Sequence, residues 1–425
     1  MGLKSNNMPR GRPGSRGREE NRVTSPYREL LSVPGARLFV AAGFVGRMSM
    51  SMVGIGIVLL VSAVTGSYGI AGAVTATLCV AYAAGAPLSA RFADRYGQHR
   101  VLVPVVLANT ASFGLLIAFA EMDLPVWTLF VAAAAAGLSQ VSLGAWVRAR
   151  WAYVLRDTPA RMHTAYSFES VVDECIFVTG PMLVTVLSTS VHPAAGLGAA
   201  AACTLAGCLA LAGQRATEPP PRPREPGTGG GVWRNPGIVV ITPVFLMLGM
   251  VFGAIDVGGV AFAEEEGHKA LAGVLLGCYA LGSGAAALWY GARHWRSPLS
   301  RRFLAGLGLL MAGLIPPVLV GNLYLMMFVV FFSGLAISPT IIPGFGLVER
   351  LVPQGMLTEG LALVSTSVGL GVAVGSSVSG RVVDAQGSRA AFLVPLGCAV
   401  VAAAVGLAGA RAMSKRELSS RSLAE

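Results

Sequence analysis

Charged side chains are scarce in this chain of 425 residues: they make up 12% of it, whereas hydrophobic residues make up 54%. Soluble domains carry roughly 25% charged residues, so a soluble chain of this length would lack the polar surface needed to cover its cores. The mean hydropathy of +0.65 indicates the same. Glycine is abundant, with 54 residues, which suits close helix packing in lipid. The composition excludes a soluble globular protein and indicates an integral membrane protein.

Cysteine and histidine are also few. The six cysteines all lie in apolar stretches, so we expect no disulfide framework. The five histidines lie in loops or at helix ends, and none is within helical pairing distance of another, which argues against a metal site and a metal-dependent membrane enzyme. The chain also lacks a Gly-x-x-x-x-Gly-Lys-Ser/Thr nucleotide-binding loop. We therefore expect no cofactor, no metal and no catalytic residues.

Apolar runs of about 20 residues, enough to cross a bilayer, recur twelve times. They lie near residues 37–63, 68–90, 100–120, 125–147, 164–189, 193–214, 237–262, 270–291, 302–320, 323–347, 357–380 and 388–411. Residues 215–236 are rich in proline and then glycine, which is typical of a flexible linker. The predicted parts are a basic, disordered tail, a six-span half, the linker, a second six-span half and a short tail: 1–36, 37–214, 215–236, 237–412 and 413–425.

The basic residues predict an orientation, because cytoplasmic loops carry an excess of lysine and arginine. With the N-terminus inside, the inner segments hold 28 of the 32 basic residues and the outer loops hold three. We therefore expect a multi-pass protein of the cell inner (plasma) membrane with both termini in the cytoplasm. The net charge of +11 then reflects cytoplasmic loops, so no nucleic-acid partner is expected.

The loop between spans two and three contains the sequence Asp94-Arg95-Tyr96-Gly97, followed by Arg100. It resembles the signature Gly-x-x-x-Asp-Arg-x-Gly-basic-basic of the major facilitator superfamily. Ala90 stands in place of the first glycine, and Gln98 and His99 replace the basic pair, so that Arg100 comes one position late. The pair Tyr96-Gly97 recurs in the second half as Tyr290-Gly291, and such an echo is expected of repeated transporter halves.

The resemblance implies an all-α polytopic membrane protein, with twelve transmembrane helices in two pseudo-symmetric six-helix halves. It also implies a monomer that works by alternating access. Asp94, Arg95, Gly97 and Arg100 would form a gating loop, with Asp94 at the N-terminus of span eleven, near Leu357. The two arginines could then bridge to acids on the inner side, Glu349 or Glu359. The alternative is that the arginines only set the topology.

Three acids of span five, Glu169, Asp173 and Glu174, lie in an otherwise apolar run. An acid at the centre of a membrane helix costs about 2.5–3.5 kcal/mol on insertion scales. Residues four apart share a helix face, so Glu169 and Asp173 stack, whereas Glu174 is turned by about 100° from Asp173. Arg47 of span one is the expected counter-charge, which leaves two acids for one base. The cluster therefore predicts proton or substrate coupling, with Asp173 as the first choice; the alternative is a structural ion pair.

Two further features are less specific. Gly180-Pro181 in span five is similar to the core of a glycine-rich motif of drug antiporters in the superfamily, but Ile176 stands where an earlier glycine is expected. A direction-specific role and a simple packing kink both remain open for this pair. Asp256 in span seven either lines the cavity or caps a local break in the helix.

The function that fits best is export of a hydrophobic or amphipathic small molecule in exchange for protons, by a carrier surrounded by the lipid bilayer. Uptake of a small metabolite by proton symport is the alternative within transport. An intramembrane enzyme is disfavoured by the histidine pattern, and a transporter-like sensor by the short tails.

Overall fold

A computed structural model describes residues 26–221, 232–268, 271–293 and 295–413. These residues form helices and short turns, and no strand occurs among them. Most of the predicted tails and the centre of the predicted linker lie outside the described residues. A short helix, Pro26–Leu30, precedes the first span.

Within these residues, twelve helical spans are long and apolar enough to cross a membrane. In chain order they are Ala36–Thr65, Ile70–Tyr96, Gln98–Glu121, Trp127–Val154, Pro159–Ser190, Ala195–Gly213, Pro236–Glu265, Ala272–Ala292, Leu299–Leu319, Leu323–Leu351, Leu357–Gln386 and Ser388–Ala408. The helix of span two begins at Tyr68, and the helix of span five at Met162 after a 3-10 turn, Pro159–Arg161. The predicted all-α polytopic fold with twelve spans is confirmed.

Several spans are interrupted near their middle. Span one consists of Ala36–Arg47 and Ser49–Thr65. Spans four and ten, which hold equivalent places in the two halves, consist of Trp127–Leu138 with Leu143–Val154 and of Leu323–Gly334 with Ile337–Leu351. The interruptions of spans four and ten therefore recur at equivalent places in the two halves.

Side-chain caps begin spans in both halves. The Ser67 hydroxyl accepts a hydrogen bond from the Ile70 amide at 3.3 Å. The Asn235 side chain accepts one from the Gly237 amide at 3.0 Å, and Asn322 accepts from the amides of Tyr324 and Leu325. These caps satisfy first-turn amides that have no partner within the helix.

The pairing of spans repeats between the halves. Spans one and five, one and six, two and four, and three and six pack together in the first half. Adding six to each number gives the corresponding pairs of the second half, which also pack. The halves meet where span two packs on span eleven and span five on span eight. This repetition is the pseudo-symmetry that the sequence predicts.

Span four extends further than the sequence indicates. The apolar run was expected to end at 147 and a loop to cover 148–163, but the helix continues to Val154. Arg148 and Arg150 are therefore buried helix residues rather than loop residues. The end of the bundle that carries Pro26–Leu30 and Met413 is called the tail end, and the opposite one the far end.

Candidate functional site

Arg47 and Glu169 form the centre of a buried ion cluster between spans one, four and five. Their closest atoms, Nη2 and Oε2, are 2.6 Å apart, and both side chains are at most 1% exposed. Arg47 also binds Asp173 at 2.9 Å, and Arg148 binds the other oxygen of Asp173 at 2.7 Å. The expected pairing of Arg47 with span five is therefore present, and Glu169 and Asp173 do share one helix face.

Arg148 changes the charge balance of this cluster. From the sequence we expected two acids for one base, and this was wrong because Arg148 lies in span four and not in a loop. Two arginines face two carboxylates, so the cluster is neutral. The Arg148 guanidinium also lies over the ring of Phe345 in span ten, 4.2 Å from its centroid, so this cation joins the two halves.

Local structure holds Arg47 and Glu169 in place. Arg47 is the last residue of the first segment of span one, and its Nε donates to the carbonyl of Gly43 at 3.1 Å. The indole of Trp151 donates to Glu169 at 2.7 Å. A buried charge is tolerated when it is paired and its remaining lone pairs are satisfied. Each carboxylate oxygen of Glu169 has one partner, Arg47 at Oε2 and Trp151 at Oε1, which suits a structural role.

Glu174 is turned away from this cluster, as expected from its position one residue after Asp173. Its side chain lies near the Ser283 hydroxyl of span eight, and its charge interacts electrostatically with that of Asp256 of span seven. Spans seven and eight belong to the other half, so Glu174 and Asp256 bring one acid from each half together. Ser283 is held in turn by Ser338 of span ten, whose hydroxyl donates to the Ser283 carbonyl at 2.8 Å.

Asp256 lies within the continuous helix Pro236–Glu265 and remains exposed. It therefore does not cap a break in span seven. Tyr279 of span eight interacts electrostatically with both Asp256 and Glu174. The Tyr279 side chain is buried and its hydroxyl has no hydrogen-bond partner. Sequence reasoning missed Tyr279 and Ser283, since only the contact between the halves links them to the acids.

Asp94 lies at the N-terminus of span eleven. Its two oxygens accept hydrogen bonds from the backbone amides of Thr358 at 3.3 Å and Glu359 at 3.0 Å. These amides belong to the first turn of span eleven, where the helix dipole favours a negative charge. This is the contact that the resemblance implied for Asp94, whereas its gating role stays a prediction.

The two arginines of the same loop behave differently. Among the described residues, neither Arg95 nor Arg100 forms an ion pair with Glu349 or Glu359, so that expectation was wrong. The physical reason is helical geometry: Arg95 is turned by about 100° from Asp94, and it lies exposed over the ring of Tyr96 at 5.1 Å.

Gly97 makes the reversal between spans two and three. Its φ is 96°, a value that glycine adopts without strain and other residues rarely adopt. A single residue therefore separates the helices ending at Tyr96 and beginning at Gln98. His99 fixes this turn to the chain after span six, because its ring and its backbone amide both contact Glu218.

Hydrogen bonds close the tail end between the halves. Tyr166 of span five donates to Glu349 of span ten at 2.9 Å, and Thr164 donates to the carbonyl of Gly291, in the last turn of span eight, at 2.8 Å. The short N-terminal helix adds Tyr27, whose hydroxyl donates to the Leu288 carbonyl at 2.8 Å. Burial raises the pKa of Tyr27 to about 12, so its hydroxyl keeps the proton that it donates.

Gly180 allows spans one and five to approach closely. A Cβ at this position would collide with the hydroxyl of Ser51, which donates to the Ile176 carbonyl at 2.9 Å. The helix of span five continues through Pro181 to Ser190. This packing accounts for Gly180 locally, and a direction-specific role for Gly180-Pro181 stays a prediction.

Metal-ligating groups and cavities add little to the site. No group of three or more His, Cys, Asp or Glu able to hold a metal occurs in the described part of the chain. A groove of about 480 Å³ lies between spans three and four, lined by residues such as Pro104, Ser112 and Leu138. It contains none of the acids above.

Comparisons with known proteins agree with this architecture. The family model of the Major Facilitator Superfamily matches residues 39–294 and 262–423. No curated protein sequence matches the chain. Similar solved structures include the human organic anion transporter MFSD10 (TETRAN), with 14% identity, 88% of this chain and 100% of that chain covered and a TM-score of 0.68.

Two further structures are similar at 15% identity. One is a bacterial homologue of the iron transporter ferroportin in the outward-facing state, with 88% of this chain and 98% of that chain covered and a TM-score of 0.67. The other is the fucose:proton symporter FucP of E. coli, with the same coverages and a TM-score of 0.64. At these identities the likeness establishes the fold alone.

Proposed function

This chain belongs to the Major Facilitator Superfamily and is a secondary transporter rather than an enzyme, and we propose that it exports a hydrophobic or amphipathic small molecule in exchange for protons. The observation that carries the proposal is the pair Glu174 and Asp256. One acid comes from each half, and their charges interact electrostatically across the boundary between the halves. Each carboxyl group changes between its charged and its neutral form when it loses or gains one proton, and a proton-coupled carrier needs such a change.

Glu174 and Asp256 take the coupling role that the sequence pattern assigns first to Asp173. Asp173 accepts a bond from each of two arginines, Arg47 and Arg148. A proton on Asp173 would leave excess positive charge in a buried cluster, which costs free energy in a low dielectric. The neutral cluster instead holds spans one, four and five together while the pair across the halves exchanges protons.

The tail end is assigned to the cytoplasm in this proposal, because the inner segments inferred from sequence carry most of the basic residues. The hydrogen bonds of Asp94, Tyr166, Thr164 and Tyr27 close that side. The exposed Asp256 then faces the outside. This arrangement corresponds to an outward-facing state in which a carrier releases an exported compound and takes up protons.

Transport into inside-out vesicles from the inner membrane tests the proposal. We expect an acidic vesicle interior to drive uptake of amphipathic compounds, and a protonophore to abolish it. Glu174→Gln and Asp256→Asn should remove the dependence on the gradient, whereas the matched control Asp384→Asn, an exposed acid of span eleven, should keep it. Transport that ignores the gradient in the unmodified protein would contradict proton coupling.

The same vesicles decide between export and the second candidate, uptake by proton symport. The partial match at Gly180-Pro181, with Ile176 in place of a glycine, is the observation that favours this alternative. Symport predicts that an acidic vesicle interior drives the compound out of the vesicle together with protons. Accumulation inside the vesicle supports export.

A further inference from the structure

We propose that Glu174, Asp256 and Tyr279 form the binding site for the ammonium group of a monovalent organic cation with an apolar body. The inference rests on the proposed carrier function and names the class of its substrate. It places the positive charge of the substrate between one acid of each half. The apolar body then lies against spans that carry few other charges.

Charge is the first reason for this assignment. The acids Glu169 and Asp173 are compensated by arginines, but no arginine or lysine among the described residues forms an ion pair with Glu174 or Asp256. Both carboxylates therefore lie in the membrane interior without a cation. Acids in a transmembrane bundle pair with a base or mark a substrate or ion pathway, and here no base pairs with them in the described part of the chain.

Tyr279 is the second and independent reason. Its side chain is 7% exposed, its hydroxyl has no hydrogen-bond partner, and it interacts with both carboxylates. Buried polar groups in native proteins are normally hydrogen-bonded, so the unpartnered hydroxyl at this place is available to a ligand. The phenolic oxygen accepts a hydrogen bond from an N–H donor, and the aromatic face attracts a cation. An ammonium group satisfies the hydroxyl and the acids together.

The surroundings favour an organic cation over a metal ion or an anion. The described residues contain no group of three or more metal-ligating side chains, and divalent metals prefer more ligands than two carboxylates supply. An anionic group would be repelled by the same pair. Span eight has no charged residue between Ala272 and Ala292, and span seven has only Asp256 before Glu264. An apolar body therefore meets apolar walls.

Protons compete with the ligand at this site, because neutral carboxyl groups do not attract a cation. The titratable groups that interact with the pair are Asp173, which two arginines hold, and Tyr279. Two thiols, Cys175 and Cys278, are sequence neighbours. Other charged groups of these and the neighbouring spans lie in the ion cluster or toward the membrane ends, among them Arg47, Arg148, Arg150, Glu169, Glu264, Glu265, Glu349, Arg350, Glu359, Arg381, Asp384 and Arg389. We therefore expect weaker binding of the cation at pH 5.5 than at pH 8.

The inference is tested by calorimetry, which measures binding of small probes to the full-length protein in lipid nanodiscs. The probes come in sets, and the members of one set differ only in their polar group. Each set consists of an amine, an alcohol and a carboxylate on the same body, with benzyl, adamantyl and naphthylmethyl bodies. We expect an amine in at least one set to bind at pH 8 at least tenfold more tightly than its alcohol. The carboxylate should not bind, and Mn²⁺ should not displace the amine.

Variants locate the site. Glu174→Gln and Asp256→Asn should each weaken binding of the amine at least tenfold, and Tyr279→Phe, which keeps the ring, about threefold. Asp384→Asn is the control and should change nothing. Thermal unfolding checks that each variant is folded. If Tyr279→Phe unfolds, the two acid variants still decide the outcome.

The inference is overturned if no amine binds, if an alcohol or carboxylate binds as tightly, or if both acid variants bind the amine normally. Its failure differs from failure of the proposed function. Proton-driven transport of a neutral or anionic compound in vesicles would leave the carrier standing and remove the cation site. Amine binding that depends on Glu174 and Asp256, without any response of transport to the pH gradient, would keep the site and remove proton coupling.

Discussion

Tyr166 of span five donates a hydrogen bond to Glu349 of span ten at 2.9 Å, and this bond crosses between the two halves at the tail end. Both groups are shielded from solvent, Tyr166 fully and Glu349 partly. Such a bond must break when this end opens, so it contributes to the balance between the two states of the carrier.

Tyr166→Phe removes this hydrogen bond while keeping the ring. A hydrogen bond of this kind contributes about 1 kcal/mol, so the population open at the tail end should rise about fivefold. Spin labels at the exposed positions Asp157 and Arg411, one in each half, would report a longer distance by pulsed electron resonance in a cysteine-free background. Tyr153→Phe serves as the control, because the half-buried ring of Tyr153 lies under Arg156 near the end of span four. An unchanged distance distribution in Tyr166→Phe would show that this hydrogen bond does not contribute to closure of the tail end.

Asp94→Asn tests the contact with span eleven. Loss of the charge at a helix N-terminus costs about 0.5–2 kcal/mol. The ratio of molecules closed at the tail end to molecules open there should therefore fall about two- to thirtyfold. The same pair of labels measures the shift, and protein levels in the membrane should stay normal. The exposed neighbour variant Arg95→Gln is the matched control, because Arg95 lies over Tyr96 and is turned away from Asp94. Equal effects of the two variants would mean that the loop acts through its net charge.

Arg148→Met tests whether the ion cluster holds spans four and five. Removal of one partner of a buried ion pair costs about 3–5 kcal/mol when a charge is left unpaired. Here Asp173 keeps Arg47 as a partner and its side chain is 22% exposed. We therefore expect the free energy of unfolding to fall by about 1–3 kcal/mol, with a clear drop in Tm. Arg156→Met is the control, because its pair with Asp157 is exposed and such pairs contribute little. A Tm of Arg148→Met equal to that of the control would exclude a structural role for this pair.

Gly180→Ala tests the close approach of spans one and five. The added methyl meets the Ser51 hydroxyl, and overpacking of this kind costs about 1–3 kcal/mol. We expect a lower Tm for Gly180→Ala and partial recovery in the double variant with Ser51→Ala. Gly198→Ala, where a Cβ would meet open space, is the control. A Gly180→Ala protein with normal stability and altered transport would support a direction-specific role instead.

The fold was predictable from sequence because bilayer thickness sets the length of every span and the hydropathy pattern is strong. The contact of Asp94 with span eleven followed from a family resemblance. The pairing of Arg47 with Glu169 followed from depth, since both lie at a similar distance from the tail end of their spans. These inferences needed only one-dimensional distances along the membrane normal.

The rest of the site depends on which faces of the helices meet, and a single sequence carries little information on that. Arg148 was assigned to a loop because the apolar run ends at 147, although the helix continues to Val154. Tyr279 gave no signal at all, since a tyrosine in an apolar helix is ordinary until its neighbours are known.

The central claim, that Glu174 and Asp256 couple transport to protons, is tested most directly by comparing two modes of transport in reconstituted vesicles. Exchange of labelled for unlabelled substrate at equal pH needs no net proton movement, whereas net transport needs the acids to change protonation. Proton coupling by this pair predicts that Glu174→Gln and Asp256→Asn, if they still bind substrate, keep exchange and lose net transport driven by a pH gradient. Net transport that responds to the gradient as in the unmodified protein, in both variants, would contradict it.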